Sequence, residues 1–129
     1  MKTPLAAAIF VVALALPVFA DEMSLTGRWE GRWNDLGYSG SVVYTLIHTG
    51  RQVSGTIAIR DRPSLPRDYE TAIEGKVEGT SARLEYTTIA SRVARVTIRM
   101  RSADELIADL VILGVPGSGG PQTLRRVAQ

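Results

Sequence analysis

The chain has 129 residues, a formal net charge of +2 and no cysteine. That length is one domain's worth, and the lack of thiols excludes both a disulfide scaffold and a cysteine-ligated zinc site. Basic and acidic residues are interspersed and nearly balanced, which excludes the basic patch of a nucleic-acid binder.

The first 20 residues have the three-part layout of a secretory signal. Lys2 supplies a positive start, Leu5 to Leu16 is an unbroken apolar run, and Pro17 followed by Val18-Phe19-Ala20 makes a cleavage-like end. The apolar run is shorter than the roughly 20 residues of a membrane-spanning helix, and no stop-transfer charges follow it. Residues 1–20 therefore read as a cleavable signal peptide. Residues 21–129 read as one exported domain, periplasmic or extracellular, with no transmembrane span in the mature chain.

The mature segment alternates apolar and polar residues with period two, punctuated by glycine or proline every eight to twelve residues. This is the pattern of an all-β meander, sandwich or barrel, and no stretch carries a helical period. The first strand, Gly27 to Trp33, puts glycines and tryptophans on one face and Arg28, Glu30 and Arg32 on the other. A turn region from Asn34 to Gly40 leads to a second strand, Val42 to His48, and Thr49-Gly50 turns it into a third, Gln52 to Ile59. Setting His48 opposite Arg51 places Leu46 opposite Val53, Tyr44 opposite Gly55 and Val42 opposite Ile57, so one face is apolar throughout.

A charged loop, Arg60 to Asp68, holds Pro63 and Pro66. The hairpin Tyr69–Val77 and Ala82–Thr88 then pairs Val77 with Ala82, Gly75 with Leu84 and Ile73 with Tyr86. Val93 to Arg101 and Glu105 to Ile112 form the sixth and seventh strands. A Gly/Pro/Ser-rich loop, Gly114 to Pro121, precedes a final strand, Gln122 to Val127. Eight strands in a meander close most simply as an antiparallel up-and-down barrel, which removes both edges. A β-sandwich is the alternative. The outward positions carry Arg28, Glu30, Arg32, Glu74, Lys76 and Arg83, unlike the apolar outer band of a membrane barrel.

Gly27-Arg28-Trp29 resembles the Gly-x-Trp signature of the calycin superfamily, which includes lipocalins and avidins. In those families the tryptophan packs across one end of the barrel beneath an arginine from a late strand. That resemblance implies a role in barrel closure for Trp29 with Arg126, which shares inward parity with Leu124, rather than with Arg125. The Gly50 to Thr56 hairpin and the Thr123-Leu124-x-Arg126 end are similar to those of small exported bacterial lipocalin-like domains. Ser24 to Trp29 is also similar to the start of avidins. The tryptophans that wall a biotin site have no counterpart after Trp33, however, and Ile57 stands where a tyrosine would be expected.

His48 is the only histidine, with no second histidine or acidic pair at ligand spacing, so it reads as a turn-side residue rather than a metal ligand or general base. Arg95, Arg99 and Arg101 form a ladder facing Glu85, Glu105 and Asp109, which reads as cross-strand pairing. Trp29, Trp33, Tyr44 and Tyr86 point inward and are the candidate ligand-binding residues. They serve either as a packed core or as the lining of a cavity, because an eight-stranded barrel is the size that fills with side chains or holds one small ligand. No catalytic, cofactor or metal constellation is expected. The leading expectation is a non-enzymatic lipocalin-like module binding a small apolar ligand. The second is a protein-binding module such as a protease inhibitor with a protein partner, and an enzyme ranks third.

Overall fold

The structure, a computed structural model, describes residues 24–35, 37–115 and 120–127. The expected signal peptide lies outside the described residues. Eight strands follow in chain order: β1 (Gly27–Asp35), β2 (Tyr38–Thr49), β3 (Gln52–Ile59), β4 (Tyr69–Glu78), β5 (Ser81–Thr87), β6 (Val93–Ser102), β7 (Glu105–Ile112) and β8 (Gly120–Val127). Each pairs antiparallel with its neighbours, and β8 returns to β1, giving a closed barrel. A sandwich would leave sheet edges, and this sheet has none. Among the described residues no helix is long and apolar enough to cross a membrane.

Period-two alternation is the cause of the arrangement. Inward positions such as Val42, Tyr44 and Leu46 on β2, or Ala94, Val96 and Ile98 on β6, are buried, while the residues between them face outward. Burial of each large aliphatic side chain contributes about 1.5–3 kcal/mol, so the in/out parity of every strand is strongly selected.

Two local expectations are corrected. The β2–β3 register is displaced by two residues: His48 faces Val53, Leu46 faces Gly55, Tyr44 faces Ile57 and Val42 faces Ile59. The hairpin closes around Gly50-Arg51 alone, with Thr49 opposite Gln52 and Gly50 at φ 62°. A two-residue loop with glycine first matches the strands' twist. A shift of two keeps parity, so the buried face is unchanged. The first turn is also shorter than Asn34 to Gly40, because β1 runs to Asp35 and β2 begins at Tyr38. In the second hairpin Val77 meets Ala82 and Gly75 meets Leu84, as the sequence indicates.

Two of the eight ladders are short. The β1–β8 ladder runs from Arg28↔Val127 to Glu30↔Arg125 and no further. Across the barrel, β4 and β5 are laddered only from Glu74↔Glu85 to Glu78↔Ser81. Both of these short ladders lie at the end that carries the β2–β3, β4–β5 and β6–β7 turns. Beyond the ladder β1 and β8 stay close, since a Cβ on Gly31 would stand 2.5 Å from the Thr123 carbonyl oxygen.

Candidate functional site

The end that carries these turns is built around Trp29. Its ring is fully buried, its Nε1–H donates to the Leu25 carbonyl at 2.9 Å, and Arg126 Cζ lies 4.2 Å from its ring centroid. Register neighbours Trp29 and Arg126 face each other across the β1–β8 seam. The Arg126 guanidinium donates to three carbonyls: Thr26 (2.6 Å), Ser24 (2.9 Å) and Ala103 (3.0 Å). Asp104 supplies a carboxylate at 3.5 Å. Arg125 points away, 75% exposed, and pairs with Glu105. The segment before β1 is held as well. Leu25 is fully buried and its N–H donates to His48 Nδ1 at 3.2 Å, so the neutral ring carries its proton on Nε2, which reaches the Gly50 carbonyl at 2.9 Å.

The other end of the barrel holds a cavity of about 580 Å³. Its walls are Val42, Ile57, Ile59, Leu110 and Ile112 from the strands, with Trp33 and Tyr86 among them. The β3–β4 loop contributes Arg62, Pro63 and Ser64, and the β5–β6 loop contributes Ile89, Ala90 and Arg92. Trp33 is fixed by donation from Nε1 to the Arg60 carbonyl at 2.9 Å. It packs over Gly40, where an added Cβ would stand 2.1 Å from the Arg60 oxygen and 2.6 Å from the indole nitrogen, so only glycine fits. Tyr69 donates its hydroxyl to the Thr87 carbonyl at 2.8 Å, bridging β4 and β5 beyond their shared ladder.

One polar side chain is buried at the cavity floor. Gln122 is 8% exposed and accepts a hydrogen bond from the Tyr44 hydroxyl at 3.2 Å. Burial holds the Tyr86 phenol protonated, with its ionisation pushed up to about 12, Tyr69 adding to the effect. Tyr44 is shifted upward as well, first by burial and then by the neighbouring Tyr86 phenol. The floor is therefore polar but uncharged.

The four candidate aromatics are thus separated. Trp33 and Tyr86 line the cavity. Trp29 lies at the opposite end under Arg126, and Tyr44 is not part of the lining but bonds to Gln122, which is. Shared parity put all four on the inner face, but depth along the strand decides which of them meets open space. The arginine ladder is paired: Arg95 with Glu85 at 3.0 Å, Arg99 with Asp109 at 3.7 Å and Arg101 with Glu105 at 3.6 Å. Sequence reasoning missed Gln122, although a polar residue at inward parity on the last strand was a readable signal. It also missed Tyr69 and the loop residues, whose place depends on how the loops fold over the mouth.

Among the described residues no group of three or more His, Cys, Asp or Glu side chains is placed to hold a metal ion. Neither a protein-family model nor a curated protein sequence matches this chain.

Proposed function

We propose that this chain is an exported, non-enzymatic binding protein of lipocalin-like kind, which takes one small apolar ligand into the end of its barrel away from Trp29. The observation that carries this reading is the cavity. Its volume of about 580 Å³ falls within the roughly 300–1,000 Å³ of small-molecule sites, and its apolar walls with few polar groups have the composition of such sites. The remainder of the barrel is filled with side chains, so the space is local to the mouth. The link to lipocalins is an analogy of fold and of the Gly27-x-Trp29 and Arg126 pattern.

The alternative of a protease inhibitor acting through an N-terminal tail gains less support. Leu25 is buried at the Trp29 end, and the Ser24 and Thr26 carbonyls are bound by Arg126. Those residues are committed to the barrel rather than free to enter an enzyme.

The test is solvent extraction and mass spectrometry of the purified exported protein beside a Leu110→Trp variant, which fills the cavity from its wall. One apolar compound near stoichiometric amount in the first sample, depleted in the second, is the expected result. Equal recovery from both, or no retained compound together with no binding of a naphthalene-sulfonate dye, would overturn the reading.

A further inference from the structure

Two polar groups on the cavity surface have work left to do. Tyr86 is 6% exposed and Gln122 8% exposed, and both border the cavity. Gln122 spends its carbonyl oxygen on the Tyr44 hydroxyl. Among the described residues its amide nitrogen has no hydrogen-bond partner, nor has the Tyr86 hydroxyl. Buried polar side-chain atoms without a partner are absent among the described residues, so these two atoms are not sealed in packing. What reaches them is the cavity. The Tyr44 phenol bonds to Gln122, and Gln122 and Tyr86 line the same cavity.

We propose that Tyr86 and Gln122 form a donor pair that anchors a neutral carbonyl oxygen of an otherwise apolar ligand, a ketone, ester or amide. A phenol O–H and a carboxamide N–H₂ are donors, and a carbonyl oxygen has two lone pairs to receive them. A carboxylate fits less well. Its charge would be buried without a cation at the floor, since Arg62 and Arg92 stand on the loops at the mouth. The Arg62 guanidinium is also turned back onto its own loop, toward the Pro66 carbonyl and the Ser64 hydroxyl.

This inference rests on the binding role proposed above and specifies its ligand class. The test compares 2-acetylnaphthalene with 2-ethylnaphthalene, which differ by a carbonyl in place of a methylene, using equilibrium dialysis against the full mature protein. Tyr86→Phe should weaken the ketone relative to the hydrocarbon by roughly threefold to tenfold, the worth of one hydrogen bond. Gln122→Leu should act in the same direction. Tyr86→Phe should leave the urea midpoint at neutral pH unchanged, because the hydroxyl it removes has no partner among the described residues. If both compounds bind and their affinity ratio is the same in wild type and both variants, the anchor is refuted while the binding role stands. If the wild type binds neither compound, both are refuted.

Discussion

The Trp29 indole is fully buried, with its N–H bonded to Leu25 and the Arg126 guanidinium stacked 4.2 Å from its centroid. Truncating a buried aromatic to alanine costs about 3–5 kcal/mol, and Trp29→Ala is expected to lose that much. A guanidinium over an indole contributes about 0.5–2 kcal/mol. Arg126 also satisfies three carbonyls, so Arg126→Ala should destabilise clearly more than Arg125→Ala, whose ion pair is exposed and weak. In a double-mutant cycle read by urea denaturation, Trp29→Ala with Arg126→Ala should lose less than the sum of the two single losses. Strict additivity would mean that the contact contributes nothing to closure.

Tyr86 makes a second prediction at this scale. Its folded ionisation, near 12, lies above the value near 10 of an unfolded tyrosine. The stabilisation is fully present below about pH 10 and is lost as pH rises through the folded value. Tyr44 shifts in the same direction and adds to the loss. Urea midpoints should fall between about pH 10 and 12, and Tyr86→Phe should flatten that fall. An unchanged profile in the variant would show that the phenol is not held protonated by the fold.

At the scale of elements, turn chemistry and strand parity play separate roles. Alternation in Val42–His48 and Gln52–Ile59 dictates which side chains go inward but is blind to a shift of two, because both registers bury the same set. The choice falls to the loop, where Gly50 at positive φ permits a two-residue turn and Thr49 then meets Gln52. The seams differ in kind from the other ladders. Backbone groups on the upper parts of β4 and β5, and of β1 and β8, face each other without a shared ladder. Amide exchange is expected to be faster at those seam-facing positions than in β2–β3, since local opening tracks missing backbone bonds. Uniform protection around the barrel would show that the missing ladder bonds do not loosen these seams.

For the whole molecule, the protein is expected outside the cytoplasm with Asp21 as its first residue. N-terminal sequencing of exported material that still carries Met1 to Ala20 would contradict this. Much of the fold was legible beforehand because its determinants are local. The eight strands, their buried faces and the loop at Arg60–Asp68 follow from period-two hydropathy and from glycine and proline placement. The arginine ladder was legible for the same reason, since cross-strand neighbours are set by parity once strands are adjacent. The cavity was not. Trp29 and Trp33 stand four residues apart on one face of one strand, yet one is sealed under Arg126 and the other looks into open space.

By itself, then, the sequence determined the all-β class and the inward set, while the pairing of Trp29 with Arg126 was what the Gly27-x-Trp29 resemblance implied. Tertiary structure decided that the sheet closes, where two of its ladders stop, and that Gln122 and Tyr86 line the same space. The physical reason is that facing is a property of a single strand, written in every second residue. A cavity is instead the difference between the width the strands enclose and the side-chain volume that all eight contribute, and no single segment carries that difference.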